Sequence, residues 1–110
     1  TQADEKWFNR LNEIIQENIS NTEFSVDQLT RSVNMSRTLL YAKVKAVTGL
    51  TPNEFIRLVR LRKAAEYLAG NEYKINEICY MVGFNSPSYF AKCFQNQFGV
   101  LPKDFINNTN

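Results

Sequence analysis

The chain has 110 residues, 44% hydrophobic and 13% aromatic, enough apolar material for one packed domain, which excludes a disordered segment. It has no histidine and only two cysteines, Cys79 and Cys93, so the commonest general base and metal ligand is missing, and no catalytic residue, metal or cofactor is expected. The net charge of +2 excludes nothing by itself, but residues 1–35 carry three basic and six acidic side chains, residues 36–63 seven and one, and residues 64–110 three and four.

Apolar residues recur at three- and four-residue spacing almost throughout, with glycine and proline at punctuation points, so the fold class is all-α. A first helix is expected from about Glu5 to Asn18, capped by Asp4, with Trp7, Leu11, Ile14 and Ile15 inward. Ser25 with Gln28 forms a capping box that opens a short second helix burying Val26, Leu29 and Val33 and ending near Asn34. Ser36 caps a third helix that runs to Thr48 and stops at Gly49. The second helix, the tight turn and the third helix have helix-turn-helix proportions.

Thr51-Pro52-Asn53-Glu54 supplies a cap, a proline in the first helical position and a reciprocal glutamate. The fourth helix should run to Ala69, with Gly70 as its stop, and span roughly 27 Å at 1.5 Å per residue. A fifth helix covers about Ile75 to Val82 and ends at Gly83. Ser86 and Pro87 open a sixth that ends at Gly99, and Pro102 opens a last short one. Cys79 and Cys93 fall at core-facing positions, where a free thiol behaves as a small hydrophobe. The start of the chain, Thr1 to Trp7, has neither a basic n-region nor an apolar h-region, and no apolar run approaches the roughly 20 residues of a membrane span. A soluble, cytoplasmic protein without membrane contact is the expectation.

The strongest signal is an internal repeat. Gly49-Leu50-Thr51-Pro52-Asn53-Glu54-Phe55-Ile56 returns as Gly99-Val100-Leu101-Pro102-Lys103-Asp104-Phe105-Ile106. At the same lag Ser36 matches Ser86, and Leu40 and Val44 match Phe90 and Phe94. Val26, Leu29 and Val33 match Ile75, Ile78 and Val82 with one residue fewer between them, so the second turn carries an insertion. The sequence therefore holds one structural unit twice. The domain reading is a single domain, 1–110, made of a first helix-turn-helix subdomain (5–50), a linker helix (51–70) and a second helix-turn-helix subdomain (71–108). Two half-size units are marginal alone, and the long helix is the element they would share.

On a helical wheel, Leu40, Val44 and Val47 fix the inward direction of the third helix, and Phe90, Phe94 and Phe98 that of the sixth. The opposite faces carry Thr38, Tyr41, Ala42 and Lys45, and Ser88, Ala91, Lys92 and Gln95. Small, polar and basic side chains of this kind suit a helix lying in a major groove, where long polar groups read base edges and small ones permit close approach. Tyr41 is open between a base or sugar contact and a place across the domain surface. The phenylalanine stripe is read as core, without a binding role. Arg57, Arg60 and Lys63 form a stripe on the long helix that either approaches phosphates or braces the two halves through carboxylates, with bracing favoured for Arg60. Main-chain amides at the starts of the third and sixth helices, with Ser36, Arg37, Lys45, Arg57, Ser86 and Gln95, are the phosphate candidates.

The pattern resembles the DNA-binding domain of AraC/XylS-type transcription regulators from Trp7 to Ile106, through MSRTLLYAKVKAVTGLTPNEFI, RLRKAAEYL and INEICYMVGFNSPSYFAKCFQNQFGVLPKDF. The wording is most similar to the C-terminal output domain of hybrid two-component regulators, in which sensor, kinase and receiver domains precede this module. The resemblance implies seven helices, with recognition helices at about 36–48 and 86–98 entering successive major grooves of double-stranded DNA. Base-reading positions carried over by it are Thr38, Tyr41, Ala42, Ser88 and Lys92, and the wheel adds Ala91. RNA polymerase and a second copy of the full-length bacterial protein are the further partners implied. Relatives often carry a longer polar side chain at Ala42, and Lys74 stands where a Ser or Thr cap is usual, a loss of about 1 kcal/mol. The alternatives are a helical protein-interaction module without DNA binding of its own and, further off, a cysteine-dependent transferase. The expected division of labour gives the first unit and long helix most of the electrostatic hold, and the second unit more of the discrimination.

Overall fold

The computed structural model describes residues 2–109, with side chains as far as Ile106; Thr1 and Asn110, the ends of the expected domain, lie outside the described residues. Seven helices and no strand occur among them: α1 (Gln2–Glu17), α2 (Val26–Val33), α3 (Arg37–Thr48), α4 (Pro52–Gly70), α5 (Ile75–Met81), α6 (Pro87–Phe98) and α7 (Pro102–Thr109).

The expected boundaries hold where side chains close the helix ends. Ser25 accepts from the Gln28 amide, and Gln28 Oε1 accepts from the Ser25 amide at 3.1 Å, a complete capping box. Thr51 and Glu54 make the same exchange at 3.2 and 2.9 Å. Ser36 and Ser86 accept from the amides of Leu39 and Tyr89, at 3.1 and 3.2 Å. Gly49 and Gly99 end α3 and α6 at φ +78° and +82°, a conformation glycine adopts without a Cβ penalty.

Four expectations need correction. α1 begins at Gln2, so Asp4 is a first-turn residue, where its carboxylate meets the positive end of the helix dipole, and not the cap. Gly70 is still helical; the left-handed stop is Asn71 at φ +55°, asparagine being the side chain that best tolerates that region after glycine. α5 ends at Met81, with Val82 as its cap and Gly83 following at φ +91°. Val47, placed inward by the wheel, is 47% exposed, lining an open surface pocket with Asp4, Glu5, Phe8 and Asn9 of α1. At the start of α5, as expected, the Lys74 side chain makes no cap hydrogen bond, and only the Glu77 half of the exchange forms, Oε1 accepting from the Lys74 amide at 3.0 Å.

The chain divides into two compact units. One takes the chain as far as Asn18 and then Glu23–Val59; the other takes Ile19–Thr22 and everything from Arg60 onward. The first unit buries Leu11, Ile14 and Ile15 from α1, Val26 and Leu29 from α2, Leu40 and Val44 from α3, and Phe55, Ile56 and Val59 from α4. Phe8 lies against Phe55 with ring centroids 5.4 Å apart. The second unit packs Leu61, Ala64 and Leu68 of α4 against Ile78, Cys79 and Val82 of α5, Phe84, and Phe90, Cys93 and Phe94 of α6. Phe94 is its centre, 4.6 Å from Phe98 and 5.4 Å from Phe105 between ring centroids. Each fully buried side chain of this size contributes about 1.5–3 kcal/mol.

The repeat is thus a repeat of packing. Buried Leu29, Leu40 and Val44 have buried Ile78, Phe90 and Phe94 as counterparts, and Leu11 of α1 has Leu61 of α4, 0% and 2% exposed. The second half of α4 serves its unit as α1 serves the first. The inserted residue of the second turn is Asn85, which is exposed between buried Phe84 and the cap Ser86.

Candidate nucleic-acid interface

Each unit contains a helix-turn-helix: α2 and α3 in the first, α5 and α6 in the second. Both second helices run 12 residues, start at a serine cap and end at a left-handed glycine. Leu40 and Val44, or Phe90 and Phe94, anchor one face inward with no exposed surface, which fixes what the other face presents.

On α3 the outer face exposes Arg37, Thr38, Ala42 and Lys45, while Tyr41 is half-buried. Tyr41 is engaged along its own helix: the Arg37 guanidinium stacks 5.3 Å from its ring centroid and donates to its hydroxyl at 3.4 Å. Arg37 also donates to Asp27 of α2 at 2.6 Å. On α6 the outer face exposes Ser88, Lys92 and Gln95, and Ala91 is half-buried. Lys92 makes no ion pair among the described residues and is not neutralised locally. The Ser86 hydroxyl, occupied as a cap acceptor, also shares a 3.2 Å hydrogen bond with the Ser88 hydroxyl.

The basic block of residues 36–63 is less free than its count implies. Lys43 sits 4.6 Å from the Trp7 ring centroid and 3.8 Å from Asp4. Lys63 pairs with Glu66 at 3.2 Å and approaches the Tyr67 ring. Arg60, 7% exposed, is withdrawn from solvent, which pulls its guanidinium below the ordinary arginine range; arginine nevertheless keeps its proton in proteins. Its acceptors correct the expectation of carboxylate bracing: Nη1 donates to the carbonyls of Ile19 and Val82 at 2.7 and 2.8 Å, and Nη2 to that of Asn21 at 3.2 Å, all within the second unit. Lys45, Arg57 and Arg62 form no ion pair among the described residues. Lys45 and Arg57 do come close enough to Glu54 to help hold its carboxyl below the usual range, after the larger effect of its hydrogen bonds with Thr51.

Three residues escaped the sequence reading. Leu39 and Tyr89 are 54% and 50% exposed at equivalent positions of α3 and α6. Their shared lag in the repeat was the available signal, hidden because apolar residues were assigned inward. Arg62 is exposed on α4, beside the stripe that drew attention to Arg60.

Burial also bears on the thiols. Cys79 and Cys93 are buried and free, and desolvation pushes the Cys79 thiol up, away from the thiolate a nucleophile needs. No group of three or more Cys, Asp or Glu is placed to hold a metal ion among the described residues. No helix there is long and apolar enough to cross a membrane.

A family model described as a helix-turn-helix domain matches residues 29–108, most of the chain, from within α2 into α7. The chain belongs to this family, as an AraC-type helix-turn-helix domain. This AraC-type domain is 42% identical over 97% of its length to Histidine kinase P4 of Formosa agariphila, of which it spans 8%. It is 34% identical over 87% of its length to the HTH-type transcriptional regulator MtrA of Neisseria gonorrhoeae, of which it spans 33%. Its fold is that of the DNA-binding domain of AdpA, a global transcriptional factor solved in complex with a target DNA, with a TM-score of 0.80 at 24% identity over 90% of this chain and 91% of that one. The chain thus spans less than two thirds of the length of the kinase and of MtrA.

Proposed function

We propose that this AraC-type domain binds double-stranded DNA in a sequence-specific way as the output module of a bacterial transcription regulator. The observation that carries the reading is the duplicated recognition-helix geometry: two capped helices of equal length, each anchored by two fully buried apolar residues and each exposing small, polar and basic side chains. Thr38, Tyr41 and Ala42 on α3, and Ser88, Ala91 and Lys92 on α6, are the base-reading candidates, each helix entering a major-groove segment. The amides at the starts of α3 and α6, with Ser36, Arg37, Lys45, Arg57, Ser86 and Gln95, hold phosphates. Ser36 remains able to donate, since its cap bond uses only an acceptor lone pair, and Ser86 does so when Ser88 supplies the proton of their shared hydrogen bond. Arg37 exchanges its exposed Asp27 partner for a phosphate at little cost, because exposed ion pairs are worth about 0–1 kcal/mol.

The likeness to a histidine kinase supports a place after sensor, kinase and receiver domains, and the DNA complex of AdpA supports the nucleic-acid partner. RNA polymerase contact, dimerisation of the full-length protein and a cytoplasmic location belong to the same reading.

Lys92→Ala tests it at one side chain. The variant should bind a preferred duplex about tenfold more weakly, while its binding to random duplex changes far less. Equal loss on both would reduce Lys92 to a phosphate contact.

A further inference from the structure

The turn between α5 and α6 is reached by a buried arginine that the recognition surface does not use. Arg60 enters from α4, and its Nη1 reaches the carbonyl of Val82, the cap residue of α5, at 2.8 Å. The next residue, Gly83, sits at φ +91°, and a Cβ there would fall 1.2 Å from Nη1 and 2.3 Å from the Ile19 carbonyl. Gly83 is thus required twice, by its backbone conformation and by the space the guanidinium fills. The same nitrogen holds Ile19, and Nη2 holds Asn21, so one planar group ties the Ile19–Thr22 segment and the α5–α6 turn to α4. The cap of α6, Ser86, follows three residues after Gly83.

The first unit supplies an internal comparison. Its turn carries Asn34 at φ +54°, exposed, and the residue fifty positions before Arg60 is Arg10, which lies on the surface of α1 against Glu13 and Glu17 at 3.4 and 3.7 Å. The first turn is closed by its own main chain, the Met35 amide donating to the Thr30 carbonyl at 3.1 Å. The Phe84 amide makes the equivalent bond to Cys79 at 3.0 Å, yet that turn also carries the inserted Asn85. One more residue gives the chain more ways to leave the turn, and Arg60 is the added restraint.

We infer that Arg60 is a positioning residue for DNA recognition by the second unit, fixing the α5–α6 turn and through it the aim of α6, although it touches no DNA. The inference rests on α6 reading base pairs. A rigid hold matters there because base discrimination requires side chains delivered to within a hydrogen bond of an edge.

The test compares Arg60→Met, Arg60→Lys and Arg10→Met with the wild type on a duplex that the wild-type chain selects from a random-sequence pool. The base pairs read by α6 are those whose preference changes in Lys92→Ala. Arg60→Met should lower discrimination at those base pairs by about tenfold, the effect of one lost base contact, and leave the remaining preferred positions within about twofold. Arg60→Lys, which keeps the charge and part of the donor set, should recover some of that loss, and Arg10→Met should change neither. Unchanged discrimination in Arg60→Met, or equal loss at every position, overturns the inference. Amide hydrogen exchange of the free chains separates this from the functional reading. Arg60→Met and, more weakly, Arg60→Lys should speed exchange at Gly83 to Ser86 and the first turn of α6, but not at Met35 to Leu39. A wild-type chain that selects no sequence defeats the DNA reading together with the inference, whereas uniform exchange across both turns defeats the inference alone.

Discussion

Gly83 and Gly49 share a left-handed backbone and differ in everything around it. A Cβ on Gly49 meets nothing within 4 Å, so Gly49→Ala carries only the conformational strain, about 1–2 kcal/mol. Gly83→Ala carries that strain and must also displace the Arg60 guanidinium from the Val82 carbonyl, a charged hydrogen bond worth about 1.5–3 kcal/mol. Urea unfolding should therefore find Gly83→Ala destabilised by about 3 kcal/mol or more and by clearly more than Gly49→Ala. Equal losses would mean that the guanidinium moves aside freely. At this scale the sequence was only partly legible. Gly83 was readable as a helix stop, but not as a seat for Arg60, because the acceptors are main-chain carbonyls that every residue carries. The expected carboxylate partners were the charged acceptors a sequence displays.

Among the elements, α4 has the most explicit start, and it is titratable. The Thr51 main-chain hydrogen bond is the first cause holding the Glu54 carboxyl below its usual value of 4.5, with the Thr51 hydroxyl, Lys45 and Arg57 adding to it. A carboxyl whose folded value is depressed stabilises the fold fully above its unfolded value, and loses that contribution as pH falls through the folded one. Melting temperature should thus fall more steeply below about pH 4.5 in the wild type than in Glu54→Gln, where the amide keeps the capping exchange without a titrating proton. Parallel profiles would show that the carboxylate adds nothing to the cap. Element ends closed by side chains were legible for the same reason that they are stable: Ser25, Ser36, Thr51 and Ser86 each satisfy an amide that would otherwise lack a partner. Ends closed by backbone conformation alone were legible where a single glycine marks them, as at Gly49 and Gly99, and not where two candidates adjoin. Gly70 and Asn71 are adjacent and both tolerate a left-handed turn, so nothing local says which one takes it. Val47 misled for a different cause, since a wheel gives direction but not whether another element reaches that far along the helix.

For the whole molecule, the repeat was the most legible feature, because duplicated packing leaves duplicated apolar spacing and duplicated caps. The electrostatic hold was the least legible. The count over residues 36–63 treats every cation as available, but Arg37, Lys43 and Lys63 have partners and Arg60 is buried, all four engaged by residues outside the block. The expected division of labour therefore shifts. Lys45, Arg57 and Arg62 are left without an ion pair among the described residues, and the α6 face, with an uncompensated Lys92, contrasts less with the first unit than charge counting suggested. If both units read sequence, selection of duplexes from a random pool with the purified chain should show it. The enriched motif should carry two separate blocks of base preference, one altered by Lys92→Ala and the other by substitution at Thr38 or Ala42, with affinity falling steeply as salt rises. A pool that stays random, or a motif with a single block, would contradict it.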